Sequence, residues 1–572
     1  MKYRWSAAPE QATLARHLSG VLGVSPLLAQ CLLNRGLSEP EPIERFLEPR
    51  LGQLADPFLL LDMRKAVDRL WEAREAGEAL VLFGDYDVDG VTATTLLSEV
   101  LRDLGWNVGH YLPHRFDEGY GLSEEGVENC LAGRAATLLV AVDCGSNAHG
   151  TIGKLKERGI DVVVLDHHQV SGEPPPARAV VNPQLAPPGE PSFRELCSAG
   201  LAFKLAHALV KHGREQGRVA ELGYDIRGLL DLVALGTIAD LVPVTGENRI
   251  LIRAGLDRLN QTRRPGLLAL KAVAGIGKEL AGYEVGYRLG PRLNAAGRLE
   301  NAREALELLE TGDEGKALEL ARRLDSYNRQ RQNIERAMVR ELVEEVRAGF
   351  DPARDFVIVK GNDPWHIGVV GIVASRLVQE FHRPTIIMGA DGDGWRGSGR
   401  SIEGFDLAAA LRSCGDLLRS HGGHAMAAGI GMDPARLETF RERLNDLARR
   451  TLKPEQLQPS LRLDSRVGLG ELSRERVEEL SRLQPCGLGN PGVHFFARDL
   501  AHHRPLQRMG QEKQHVKMWV TDGGASLECV WWGAGQGELP TGRFDLAFAP
   551  KINEFRGRSV VQLTVLDWRP AV

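Results

Sequence analysis

The stretch "LVLFGDYDVDGVTATTLL" (residues 80–97) runs from an apolar, β-like segment into three aspartates at alternate positions, Asp85, Asp87 and Asp89, and then into a helical pattern. Carboxylates this close in the chain repel one another, and a divalent cation with a preference for oxygen ligands is the usual remedy. An EF-hand loop shares the D-x-D-x-D-G opening. Its twelfth position must be a bidentate Glu and is Leu96 here, and the residues before Asp85 are β-like where a helix is required. An aspartyl-phosphate phosphohydrolase built on "DVDGV" (87–91) leaves the acids and histidines farther along without a role. Taken alone, the cluster also fits a solvated acidic turn.

Working outward, two more apolar strands end in the same way. "LLVAVDCGSN" (138–147) places Asp143 after the second strand, and "VVVLDHHQV" (162–170) places Asp166, His167 and His168 after the third. "LLDLVALGTIADLVPV" (229–244) brings Asp240 to the end of a helical stretch. The strands 79–83, 136–142 and 161–165 alternate with helices such as 92–104, which predicts a parallel sheet with crossover helices. Ligands of such sheets collect at the carboxyl ends of the strands. One strand ending in Asp is commonplace, whereas three in succession with a His pair point to a site.

Asp87, Asp89, Asp143, His167 and Asp240 form a carboxylate-rich set suited to Mn²⁺ or Mg²⁺. The set is too large for one open ion and suits two ions about 3.5–4 Å apart, the spacing used for in-line displacement at phosphorus. Asp143 is the candidate bridge between them.

Beyond this region, residues 1–55 read as short helices, 56–245 as the sheet domain, 246–348 as a helical connector and 349–455 as a second alternating segment. Residues 456–572 carry β-like runs such as "HVKMWV", "SLECVWW" and "SVVQLTVLDW" between glycine turns, a small-barrel pattern. The seven cysteines are scattered and never form CxxC, which fits a reducing compartment and speaks against structural zinc. Hydrophobic content of 43% and charged content of 26% are those of an ordinary globular protein, and no apolar run is long enough to span a membrane. The net charge of -5 gives no global nucleic-acid signature, so any such binding rests on local basic surface.

In order, "GDYDVDG", "VDCG", "LDHH" and "GTIAD" resemble the four motifs of the DHH phosphoesterase superfamily, while "RGSGRS" (396–401) and "GGHAMAAG" (422–429) resemble the associated DHHA1 domain. "PWHIGVVGIVASRL" (364–377) and "LQPCGLGNPGVHFF" (483–496) are similar to the family of bacterial single-strand-specific exonucleases within it. The resemblance implies an α/β protein: a parallel-sheet DHH domain and a smaller α/β DHHA1 domain joined by a helical segment, with a C-terminal OB-fold β-barrel. It implies a two-metal exonuclease, using Mn²⁺ or Mg²⁺, that degrades single-stranded DNA from the 5′ end in recombination and repair. Implied surroundings are the cytoplasm and no membrane, a monomeric chain, and a single-stranded-DNA-binding protein and a helicase as partners.

Carried over by motif, Asp85, Asp87, Asp89, Asp143, His167 and Asp240 are the metal residues, and His168 and Asp143 the catalytic ones. Arg115, Ser398, Arg400 and His424 match residues facing the 5′ phosphate, for which a guanidinium fork is suited. Without the resemblance, Arg115 reads as a surface partner of Asp117 or Glu118. Inorganic pyrophosphatases of the superfamily carry a His where Phe83 stands, and Cys486 occupies a position that is commonly aromatic.

The barrel segment 498–519 holds five Lys/Arg against two acids, interleaved with histidines and Trp519, and "INEFRGR" adds Phe555 and Arg556. Charge with aromatics suits single-stranded nucleic acid. Arg292 and Arg298 join Trp519, Phe555 and Arg556 as candidate DNA contacts, although each of Trp519, Trp531 and Trp532 taken singly reads as barrel core. A replication scaffold with a non-catalytic DHH-like core has no need of intact, mutually repelling acids. An oligoribonucleotide or cyclic-dinucleotide phosphodiesterase has no need of the terminal barrel.

Overall fold

The apolar runs become strands in a computed structural model that describes residues 2–115, 117–119, 121–187, 193–218, 223–277, 279–535, 537–555 and 557–571. Ala79–Gly84 (β1), Asn107–Tyr111 (β2), Leu138–Val142 (β3), Asp161–Leu165 (β4) and Ala179–Val181 (β5) pair in parallel in the order β2-β1-β3-β4-β5. Side chains alternate across the sheet, so Leu80 and Leu82 enter one apolar cluster and Val81 and Phe83 another. Both faces are covered, which is why these strands read as unbroken apolar runs. The edge strands β2 and β5 are the two that the sequence pattern misses. β2 is half-exposed, with a Gly and a His, and β5 has three residues.

The strand order reverses direction between β1 and β3, and such a switch point opens a crevice at the strands' carboxyl ends. Helix Val88–Asp103 (α1) leaves the first of those ends, Ser198–Glu215 (α2) and Leu230–Ala239 (α3) pack beside it, and all three bury apolar faces in the larger cluster. Helix α1 begins four residues earlier than its apolar spacing predicts, because Asp87 caps it by accepting from the Gly90 N–H at 3.1 Å. Gly90 has to be glycine: a Cβ there would lie 2.5 Å from the Asp85 carbonyl oxygen.

The chain divides into two units, one made of Glu41–Arg329 with Leu483–Pro491, the other of Met1–Pro40, Gln330–Arg482 and Gly492–Val572. In the first, helices Gly290–Leu299 (α4) and the start of the 36-residue Glu314–Gly349 (α5) follow the sheet. The segment Leu483–Pro491 joins this unit through Arg249, which is almost fully buried. Its guanidinium donates to the carbonyls of Phe46 (2.7 Å), Leu483 (3.0 Å), Gln484 (2.9 Å) and Pro485 (3.1 Å), and stacks 3.8 Å from the Phe46 ring centre. Asn490 adds bonds to the Leu483 and Pro485 carbonyls, both at 2.8 Å.

The second unit holds a mixed sheet of Ile358–Gly361 (β6), Thr385–Asp391 (β7), Gly394–Arg400 (β8), Leu418–Gly423 (β9) and Ala427–Met432 (β10), ordered β9-β10-β8-β7-β6, with helix Val370–Phe381 (α6) against it. The barrel consists of Phe495–Met509 (β11), His515–Thr521 (β12), Ser526–Trp531 (β13), Phe544–Phe555 (β14) and Arg558–Pro570 (β15). These pair in the order β11-β12-β13-β15-β14, and β14 pairs with β11 again, bringing the sheet round on itself. The reading of residues 1–55 as helices needs one correction. Arg4–Ala7 is a strand, paired in parallel with Ser460–Leu463, where Trp5 meets the Phe496 ring edge-on and donates to Asp567 at 2.9 Å.

Arg249→Ala would remove the side-chain donor of the Phe46 and Gln484 carbonyls and leave the Leu483 and Pro485 carbonyls to Asn490. It is expected to destabilise the first unit by about 3 kcal/mol or more, read as a lower urea midpoint. An unchanged midpoint would refute the role assigned to this guanidinium.

Candidate metal centre

Three segments meet at the switch point: the turn after β1 with Asp85, Asp87 and Asp89, the end of β3 with Asp143, and the end of β4 with Asp166, His167 and His168. Helix α3 delivers Asp240 as its C-cap. His167 Nε2 lies 3.4 Å from Asp143 Oδ1, 3.7 Å from Asp89 Oδ2 and 3.7 Å from Asp240 Oδ2. The ligand atoms of Asp85, Asp87 and Asp143 fall within 4.8 Å of one another, as do those of Asp143, His167 and His168 and those of Asp89, Cys197 and Asp240. All six predicted metal residues therefore come together.

Local structure holds each side chain. Asp89 accepts from the N–H groups of Ser198 (2.7 Å) and Ala199 (2.8 Å) at the start of α2, where the helix dipole favours a negative charge. Gly236 makes room for it, since a Cβ there would sit 3.1 Å from Asp89 Oδ1 and 2.3 Å from Thr92 Oγ1. Asp143 has a left-handed backbone (φ 65°), which costs a non-glycine residue about 1 kcal/mol, and its Oδ1 accepts from Ser198 Oγ at 2.8 Å. Asp166 accepts from the backbone N–H groups of His167 (2.8 Å), His168 (3.1 Å) and Ser146 (3.1 Å), and sits 2.7 Å from His168 Nδ1.

The electrostatics call for a cation. Burial, then the charge of Asp87, pushes Asp85 up to about 8, and burial, then Asp89, pushes Asp240 up to about 8. Asp143 stands well above the carboxylate range through burial, then the charges of Asp89 and Asp87. Burial also raises Asp89 against the opposing pull of His167. Burial works against a charged His168, yet the Asp166 hydrogen bond and the Asp143 charge outweigh it and lift this ring to about 9. Asp85 Oδ1 is buried with no hydrogen-bond partner. Carboxylate oxygens that are crowded, desolvated and unsatisfied, with one imidazole, fit hard or borderline divalent ions.

Sequence reading misses Ser198 and Cys197. Both stand at the N-terminus of α2 in the run "CSAG", whose small residues were the available signal. Burial holds the Cys197 thiol well above its ordinary value, and its Sγ lies 3.5 Å from Thr237 Oγ1.

The other candidates are placed as follows. Arg115 sits over the Tyr86 ring, 5.2 Å from its centre, while Asp117 pairs with His114 and Glu118 accepts from the Tyr111 hydroxyl. Arg298 contributes to the electrostatics of Tyr86, whereas Arg292 donates to Asp325 at 2.9 Å and to the Arg288 carbonyl at 2.5 Å. Ser398 and Arg400 lie on β8 with a 2.7 Å bond between them, and both approach Gly371 in the first turn of α6. Ala427 pairs with Arg400 across the sheet, and His424, in the turn before it, donates its N–H to the Ala427 carbonyl at 2.8 Å.

In the barrel the core reading of the tryptophans is corrected. The interior of β12 is taken by Val516, Met518 and Val520, which turns Trp519 to the outer face between Arg504 (5.6 Å) and Lys517 (5.1 Å). Trp532 is exposed beneath Lys551, and Trp531 is half-buried. The side chain of Phe555 and all of Arg556 lie outside the described residues.

The DHH family N-terminal domain matches residues 79–237, the DHHA1 domain 354–450 and the RecJ OB domain 463–567. The chain is 37% identical over 573 residues to the single-stranded-DNA-specific exonuclease RecJ of Bacillus subtilis, covering 99% of this chain and 71% of that one. It is similar to the crystal structure of RecJ from Thermus thermophilus in complex with Mn²⁺, with a TM-score of 0.85 and 31% identity over 100% of this chain and 80% of that one. The Mg²⁺ complex of the same protein gives a TM-score of 0.80 and 29% identity, over 100% of this chain and 79% of that one.

Ser198→Ala removes the hydroxyl that steadies Asp143 and is expected to weaken Mn²⁺ binding about 10-fold by calorimetry, with Asp143→Asn losing at least ~100-fold. Both variants should keep the parent circular dichroism spectrum. Undiminished Mn²⁺ affinity in the two would dismiss this crevice as a cation centre.

Proposed function

Because this chain belongs to the RecJ family of single-stranded-DNA-specific exonucleases, we propose that it removes nucleotides from single-stranded DNA in the 5′-to-3′ direction at a two-ion centre of Mn²⁺ or Mg²⁺. The observation that carries this reading is the meeting of five aspartates and His167 at the switch point of a parallel sheet. Asp85, Asp87, Asp89, Asp143, His167 and Asp240 would hold the ions. When bound, such ions supply positive charge to the phosphodiester and make a water acidic enough to lose its proton near neutral pH.

His168, fixed by Asp166, donates from Nε2 to an oxygen of the scissile phosphate as negative charge builds there. Arg115, beside Tyr86, Ser398 and Arg400, neighbours on β8 near the first turn of α6, and His424, in the turn before β10, are assigned to the 5′ phosphate. The outward Trp519 with its two flanking cations is assigned to the strand's bases and backbone. No described helix is long and apolar enough to cross a membrane. The reading places a monomeric enzyme in the cytoplasm, in recombination and repair, on strands supplied by a helicase and coated by a single-stranded-DNA-binding protein.

Digestion of single-stranded DNA labelled at either end tests the reading. With Mn²⁺ or Mg²⁺ the 5′ label should be released as mononucleotide from the outset, with chelator there should be no release, and blunt duplex should resist. Early release of a 3′ label, or equal rates on blunt duplex, would overturn it. Arg400→Ala should narrow the advantage of 5′-phosphorylated over 5′-hydroxyl ends. Trp519→Ala should weaken long-strand binding by about 1–3 kcal/mol.

A further inference from the structure

The helical run 282–299 is built on a glycine stripe. Gly282, Gly286 and Gly290 recur every fourth position and so share one face. A Cβ on Gly286 would lie 3.7 Å from Ile238 Cγ2 and one on Gly290 3.4 Å from Ala239 Cβ, so this face packs closely on the last turn of α3, which ends in Asp240. A Cβ on Gly282 would stand 4.0 Å from the Cys486 carbonyl oxygen. Farther along, Asn294 Oδ1 accepts from the Val88 N–H at 3.1 Å, and Gly297 abuts the Tyr86 carbonyl. One helical run thus braces both the Asp85–Asp89 turn and the end that carries Asp240.

Tyr283 and Tyr287 each follow one of these glycines and are thereby turned off the packed face. They are 65% and 71% exposed, and their rings stack with centres 4.8 Å apart and planes 27° apart. The turn that carries Tyr287, Val285–Leu289, is a π-helical turn, a local departure that frequently marks functional sites. Two more large apolar side chains are exposed in the same neighbourhood. Leu241, directly after Asp240, is 72% exposed on a left-handed backbone (φ 60°), and Leu488 is 62% exposed where its carbonyl accepts from the Val244 N–H at 2.7 Å. The run 282–299 contains three arginines, Arg288, Arg292 and Arg298, against one acid, Glu284, and Arg292 is paired with Asp325.

We propose that Tyr283 and Tyr287 form a base-stacking platform for the single strand beside the metal centre, an assignment that rests on the nuclease reading above. Seven residues of helix separate Tyr287 from Asn294, about 10 Å at 1.5 Å per residue, which places the platform a few nucleotides from the cleaved bond. Unstacked bases supply the flat apolar partner that an exposed pair of parallel rings lacks, and they do so without regard to sequence.

The test compares the wild type with a Tyr283→Ala, Tyr287→Ala double variant and a Tyr283→Phe, Tyr287→Phe control. Binding and KM are measured on an oligonucleotide in which a single abasic site is stepped along from the 5′ end. The alanine variant should bind the intact strand about 5- to 100-fold more weakly and raise KM, with Mn²⁺ affinity unchanged, while the phenylalanine control matches wild type. Wild type should lose affinity at the abasic positions that cover the platform, and the alanine variant should lose nothing further there. An alanine variant with wild-type affinity, or with an abasic map parallel to that of wild type, overturns the platform. So does a change of oligomeric state in sedimentation with DNA binding intact, which would make the pair a contact between copies. Failure of the wild type to bind or cut single strands at all would instead sink the nuclease reading itself.

Discussion

Mutual repulsion among buried carboxylates is the constraint that the catalytic unit is built around. Two like charges 4 Å apart at an effective dielectric of 20 cost about 4 kcal/mol, and here five aspartates crowd one crevice with Asp166 beside them. The fold neutralises two of the six internally. Asp89 lies against the first turn of α2, and Asp166 is surrounded by backbone N–H groups and His168. Asp143 and Asp240 share the His167 imidazole, at 3.4 Å and 3.7 Å, and Asp85 keeps a buried oxygen without a hydrogen-bond partner, so the cluster remains short of positive charge. The left-handed backbone of Asp143 belongs to the same arrangement: its carboxylate is directed into the crevice at the expense of local strain.

The scaffold turns that repulsion into a fixed geometry through close packing of backbone. Gly90 and Gly236 each occupy a point where other atoms approach too closely for a side chain, whereas the 282–290 stripe meets its neighbours at ordinary contact distance. Gly90 and Gly236 lie on the helices next to Asp89 and Asp240, so the close contacts at these two glycines help to fix the spacing of the carboxylates. A rigid site of this kind suits chemistry that depends on the positions of charges, and it explains why the DHH motifs contain glycine beside aspartate.

Much of this was legible in the sequence because the signals were local. An apolar strand followed by Asp can be read from a few residues, and three of them in series locate the carboxyl ends of β1, β3 and β4 before any pairing is known. What was not legible depended on contacts between distant segments. Ser198 supports Asp143 from 55 positions away and carries no motif of its own. The outward turn of Trp519 follows from strand register in the barrel, because Val516, Met518 and Val520 claim the inner face. The strand Arg4–Ala7 forms only because Ser460–Leu463 presents an open edge to it. Arg249 was equally silent: a lone arginine in a helical pattern reads as solvated, and its four carbonyl acceptors lie on two remote stretches.

That arginine has a consequence for how the enzyme comes into being on the ribosome. Synthesis proceeds from the N-terminus at about 5–20 residues per second. All six residues proposed to hold the ions have been made by residue 240, but Leu483–Pro491, which Arg249 and Val244 hold beside the turn after Asp240, follows some 240 residues later. During that interval the nascent catalytic unit carries a buried-type guanidinium without three of its four carbonyl acceptors and an unfinished flank beside Asp240. Completion of the nuclease is therefore tied to synthesis of nearly the whole chain, and a nascent protein that stalls after the DHHA1 region is left with an incomplete catalytic unit.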